Sequence, residues 1–308
     1  MKTPNLMENT IALSVTFRKP GNRRAMAKDC IDTEADKDML HLSKDLLDSD
    51  ELRAVGHVVG DTGMWLRRKC LPSLFRRGVY LLDIGKLDEV NAKLEQVETV
   101  DFPKAVNAFL AVYPERTAES RGRLKGEFDP AQYPDAEILK HAFGMSYQYI
   151  SFDVPGRLKA LNKKLYDEQR QKLAEKMEQG AVTIMWALRE SMAGMVNYMV
   201  ERLNSKTKDG KARGISKNSP MIDRMNEFLQ DFATNYALVK GASNGEGEDP
   251  IDGMIAKAGK ILKGVDVSRL RGDEELRGEV SRDFEKIKAV LDTLLINKPT
   301  RAISFEDE

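Results

Sequence analysis

A chain of 308 residues has room for one large or two ordinary domains, and its 32% charged against 41% hydrophobic content suits long helices covered on one side and wet on the other. The 49 basic and 49 acidic residues cancel, so overall charge gives no reason for a polyanion partner and leaves that role to local patches. Cys30 and Cys70 are too few for a disulfide framework, the N-terminus leads into no apolar core of signal-peptide length, and the greasiest window, 181–200, is interrupted by Arg189, Glu190 and Asn197. The expectation is a reduced, cytoplasmic protein with no spanning helix.

Along the chain, Ile11, Leu13, Val15 and Phe17 alternate with small or polar residues, which predicts a half-buried first strand ended by Pro20-Gly21-Asn22. Met39, Leu42, Leu46 and Leu47 then give 33–47 a helical reading. Ser49 with Asp50 and Glu51 reads as an N-cap opening a helix over 50–70, with a break expected near Gly63 because glycines 56, 60 and 63 each weaken it by about 1 kcal/mol. Residues 79–84 read as a second strand between Gly78 and Gly85. Amphipathic helices follow over 87–113, where Pro103 marks a kink or a new first turn and Pro114 closes the segment, leaving 115–134 as a surface connection. A third strand begins at Met145 and feeds into Val154-Pro155.

The stretch 154–205 organises the rest. Leu158, Leu161, Leu165, Leu173, Met177, Ile184, Leu188, Met192, Met195, Met199 and Leu203 recur at helical spacing without a proline after Pro155, so the pattern predicts one rod of roughly 70 Å. A rod of that length needs other segments along it. A polar tip at 205–220 returns the chain into a helix over 221–240, whose apolar face should zip against the rod and bury its methionines. After a glycine-rich, acidic connection at 241–249 come helices over 250–262 and 273–296, the second with coiled-coil-like spacing, and a polar tail. The expected fold is mainly α (α+β): an elongated antiparallel helical bundle or coiled-coil hairpin with a small three-stranded antiparallel sheet at one end. Its domains are a mixed head over 1–153, a hairpin over 154–240, and C-terminal helices and tail over 241–308.

Catalytic signals are scarce. There is no phosphate-binding glycine loop, no GxGxxG after a strand, no HExxH, no paired CxxC and no GxSxG elbow, and no cofactor or metal site is expected. His57 with Asp61 and His41 with Asp45 stand four apart on expected helices, but one histidine and one carboxylate do not complete a metal site. Both cysteines read as small core residues, Cys70 despite the preceding Arg67, Arg68 and Lys69. The densest local feature is 65–78, where Arg67, Arg68, Lys69, Arg76 and Arg77 sit near Trp65 and Phe75. Such cations can neutralise phosphates while an aromatic face stacks on a base. The competing reading makes them the wet side of a buried turn, or partners of the acids at 88–89 and 95–98. The tip offers a second basic group, Lys206, Lys208, Lys211, Arg213 and Lys217, also explained by loop solvation.

Four pieces together resemble an uncharacterised bacterial and phage family encoded near MoxR-type AAA+ ATPases. They are the first strand with its following Arg18-Lys19-Pro20-Gly21, the run Phe75-Arg76-Arg77-Gly78-Val79-Tyr80-Leu81-Leu82, the helix from Leu87 to Tyr113, and Met145-Ser146-Tyr147-Gln148-Tyr149-Ile150 before the long helix. The likeness covers roughly the first two hundred residues. It departs after the second strand, where Leu82-Asp83-Ile84-Gly85 stands in place of the family's small residues and Val-Pro. The family supplies no catalytic residues. What the resemblance implies is a non-catalytic adaptor or assembly subunit of a phage or mobile element, partnered by a MoxR-type ATPase or by copies of itself. The alternative is a nucleic-acid-binding protein of recombination or defence using Arg67 to Arg77.

Overall fold

Alternating side chains make β1 (Thr10–Arg18) a strand, and Ala12, Leu13 and Val15 bury against the core. The computed structural model that shows this describes residues 6, 9–72, 78–205, 215–240 and 250–296. It divides into a mixed unit, residues 12–67 and 75–151, and a helical unit holding the remainder. The fold is mainly helical α+β, with long packed helices and a three-stranded antiparallel sheet.

In the mixed unit β1 is followed by a short polar ribbon, β2 (Arg23–Ala25) against β3 (Ser43–Asp45). The helix expected over 33–47 does not form. Between the two strands stand only short 3₁₀ turns, and Asp36 explains the second of them: its carboxylate accepts from the Asp38 N–H, a local bond that competes with a helical one. Met39 is 80% exposed, whereas Leu46 and Leu47 are buried in the core through β3 and the turn after it.

Helix α1 (Asp50–Lys69) begins where Ser49 Oγ accepts from the Leu52 N–H at 3.2 Å while donating to Glu51. It runs through Gly63 unbroken. Val55, Thr62 and Leu66 form its buried stripe, and that burial outweighs the weakness of three glycines. Strand β4 (Val79–Asp83) opens on Gly78, whose φ of +78° and approach of a would-be Cβ to within 3.2 Å of the Val15 carbonyl both call for glycine. Helix α2 (Leu87–Gln96) passes through a π turn at Val97–Asp101 into α3 (Phe102–Leu124), so Pro103 lies in a first turn. Pro114 does not close α3. It sits on the exposed face, and the burial of Phe109 and Tyr113 on the other side carries the helix ten residues further, into the segment read as a connection. Helix α4 (Ala136–Ala142), absent from the sequence reading, precedes β5 (Gly144–Ile150), which pairs antiparallel with β1 from Ala12 opposite Ile150 to Arg18 opposite Gly144. The sheet order is β4-β1-β5.

The core of this unit is aromatic. Phe109 meets Tyr113 and Phe143 edge-on, each with ring centroids 5.8 Å apart, and Phe17 leans on Phe102 at 5.5 Å. The Tyr113 hydroxyl donates to the Pro134 carbonyl and the Tyr133 hydroxyl to that of Leu46, which ties the loop after α3 to the core.

In the helical unit the expected single rod is two helices, α5 (Gly156–Leu161) and α6 (Lys163–Asn204). Asn162 separates them with φ −153° and ψ 97°, and its side chain accepts from the Leu165 N–H, the cap that starts the 42-residue α6. Helix α7 (Met221–Lys240) packs on α6 as expected, joined by α8 (Pro250–Leu262), α9 (Val267–Gly272) and α10 (Glu274–Ile296). The neighbour that lies most extensively along α6 is α10 rather than α7. Ser281 donates to Asn204, and Asn204 to Glu285, at the C-terminal end of α6. Met192, Met199, Met221, Met225 and Met254 are buried together, with Phe228, Phe232 and Tyr236 stacked along α7. No helix among the described residues is long and apolar enough to cross a membrane.

Candidate functional site

Three surfaces carry the chemistry of the described chain. The first is the end of α1, where the sequence places Arg67, Arg68 and Lys69. Arg67 is exposed. Arg68 reaches Glu227 on α7 at 3.4 Å, Lys69 reaches Asp231 at 3.1 Å, and the Arg68 carbonyl accepts from the Asn235 amide at 3.2 Å. Among the described residues, Arg68 and Lys69 thus meet acids one turn apart on α7. The Lys69–Asp231 pair is the more enclosed, with side chains 21% and 11% exposed, and Asp231 is the acid the periodicity would have placed on a wet face. A phosphate at this end of α1 would compete with carboxylates already seated there. Arg76 and Arg77, and Lys206, Lys208, Lys211 and Arg213 at the hairpin tip, lie outside the described residues.

The second surface is the opening third of α6. From 163 to 176 no residue is buried, and Met177 is the first that is. Those fourteen residues rise about 21 Å at 1.5 Å each. Tyr166 and Leu173, seven apart, lie along the same side of the helix as Met177, Gly180 and Ile184, which are buried further on. Leu165, 38% exposed, flanks them. The stripe continues here only half-buried at Tyr166 and Leu173, with Lys159 lying 5.9 Å from the Tyr166 ring centroid.

The third is a cleft of about 760 Å³ in the mixed unit, between the β2–β3 ribbon, the first turns of α1 and the end of α3. Asp48 is its hub: Arg53 from α1 and Arg123 from α3 each reach the carboxylate at 2.8 Å. Hydrogen bonds from Arg53 and Arg123, with their charge, hold the Asp48 carboxyl down at about 2 against an ordinary 3.8. Arg23 pairs with Asp45 at 3.1 Å, and Arg53 also reaches Asp50. Lys19, Gly56 and His57 are also among its lining residues. Spacing in the sequence could not have assembled this site, because its cations come from three separate segments, 19–23, α1 and α3. The one signal was the glycine at 56, read there only as a weakness in the helix.

The remaining candidates are resolved more simply. Cys70 is buried, as expected, but Cys30 is exposed, and its thiol donates to Glu127 at 3.3 Å. That bond to a carboxylate raises the thiol pKa and holds the sulfur protonated. His41 is exposed and not on a helix, and among the described residues no group of three or more metal-binding side chains converges. Compared with protein-family models, with curated proteins and with solved structures, the chain matches none.

Proposed function

We propose that the protein is a non-catalytic helical assembly subunit, an adaptor that joins copies of itself through the opening of α6. The observation that carries this reading is the apolar stripe of α6, buried from Met177 onward and only half-buried over 163–176. An exposed helix of that kind presents a self-complementary order of side chains. Two copies laid antiparallel about a two-fold axis between Gln169 and Arg170 set Tyr166 of each against Leu173 of the other. Fourteen residues of helix offer less than the roughly 800 Å² per partner of a standard stable interface, so the association is reversible and concentration-dependent.

Sedimentation velocity over a wide concentration range tests this. The weight-average mass should rise with concentration for the wild type and stay monomeric for Leu173→Glu, which would bury a carboxylate against Tyr166 of the other copy. A mass independent of concentration in both proteins would end the proposal. The MoxR-type ATPase drawn from the family resemblance is tried in the same runs by adding the purified enzyme. A nucleic-acid role for Arg67, Arg68 and Lys69 is tried by adding DNA at two salt concentrations, where phosphate binding would weaken steeply as salt rises.

A further inference from the structure

The arginine cleft has more positive charge than its own structure uses. Lys19, Arg23, Arg53 and Arg123 line it against the carboxylates of Asp45 and Asp48, with Asp50 reached by Arg53. Lys19 has no ion-pair partner among the described residues. Asp48 divides its two oxygens between two guanidinium groups, Arg53 donating also to Asp50 and Arg123 making one such bond, to Asp48, among the described residues. Gly56 adds room to the charge. A Cβ built on it meets nothing within 4 Å, and its φ lies outside the left-handed range, so neither crowding nor backbone conformation requires glycine there. Glycine within a helix is less stable than alanine, and here its effect is to leave bare backbone facing the cleft. The volume falls in the range of sites that hold one small molecule, roughly 300–1,000 Å³.

We propose that this cleft binds a small oligophosphate, its phosphate chain held by Arg53, Arg123 and Lys19 and the remainder of the molecule lying over Gly56 and His57. Guanidinium forks from α1 and α3 and the Lys19 ammonium can surround tetrahedral phosphate oxygens from different directions, whereas Asp48 offers the two arginines one carboxylate between them. The ligand takes the place of Asp48 on at least one arginine. The site lies wholly in the mixed unit and is independent of self-association through α6.

Isothermal titration calorimetry at fixed ionic strength, with inorganic tripolyphosphate and ATP as probes and citrate as control, decides the matter. Saturable binding of at least one phosphate probe, and at least tenfold weaker binding of citrate, is the expected result. Arg53→Gln with Arg123→Gln should raise Kd tenfold or more. Gly56→Leu keeps every cation, fills the open space and favours the helix, so it should also raise Kd tenfold or more with the melting temperature held or raised. Absence of saturable binding at millimolar probe, citrate binding as tightly as the phosphates, or unchanged affinity in Gly56→Leu would each overturn the proposal.

Discussion

The two units are held together by different kinds of core, and the difference shows what each asks of its sequence. In the helical unit flexible Met192, Met199, Met221, Met225 and Met254 fill the space between parallel-sided helices, where thioethers adjust to irregular gaps. In the mixed unit rigid rings do the work: Phe109 against Tyr113 and Phe143, Phe17 against Phe102, with Tyr113 and Tyr133 each fixed by a hydrogen bond to a loop carbonyl. A thioether seam tolerates exchange of one apolar side chain for another. An edge-to-face cluster depends on the position of each ring.

The molecule carries one tryptophan in each unit, Trp65 in the mixed and Trp186 in the helical, so fluorescence in single-tryptophan backgrounds reads each separately during chemical denaturation. The largest effect is expected from Phe109→Ala, a loss of about 3–5 kcal/mol seen through Trp65, since a fully buried ring leaves a cavity its stiff neighbours cannot fill. Met225→Ala should cost about 2–4 kcal/mol through Trp186, while Met225→Leu should cost less than about 1.5 kcal/mol because the seam repacks. A leucine variant as damaging as the alanine variant would break the contrast between the two cores.

Smaller effects sharpen it at the edges of the mixed unit. Ser49→Ala removes the cap of α1 and should cost about 1 kcal/mol in the same denaturation assay. Lys125 ends α3 at φ 48° and ψ −115°, a conformation that suits glycine, so Lys125→Gly should stabilise by about 1 kcal/mol. The smallest effect is at Asp48. Its folded pKa, about 2, lies below the ordinary 3.8, so its contribution is complete above the higher value and is lost as pH falls toward the lower. The stability difference between the wild type and Asp48→Asn should therefore close between about pH 4 and pH 2. A difference that persists unchanged to pH 2 would show that the two arginines do not hold this carboxylate.

Legibility follows the same division. Helices α6, α7, α8 and α10 and strands β1, β4 and β5 were readable because one face of each is apolar at a regular interval, and that interval is local information. Where the reading failed, a single residue outweighed the pattern. Asn162 capped a new helix inside an apolar run, Asp36 took up a neighbouring N–H and kept 33–47 from becoming helical, and Pro114 rode on the solvent side of a helix that burial kept intact. The basic segment at 67–69 was legible as a cluster of charge, but its acidic partners, about 160 residues away on α7, were not.

Composition and periodicity by themselves determined that this would be a mainly helical α+β protein with a methionine-lined seam and a three-stranded sheet, because burying an apolar face at period 3.6 or 2 needs no knowledge of the partner surface. Only the tertiary structure decided that α10 would be the chief companion of α6, that Asp231 would meet Lys69, and that Arg53 and Arg123 would share Asp48 across a cleft floored by Gly56. Those are pairings between distant segments. Their free energy depends on which surfaces are brought within a few ångströms of one another, and residue spacing along a chain does not carry that distance.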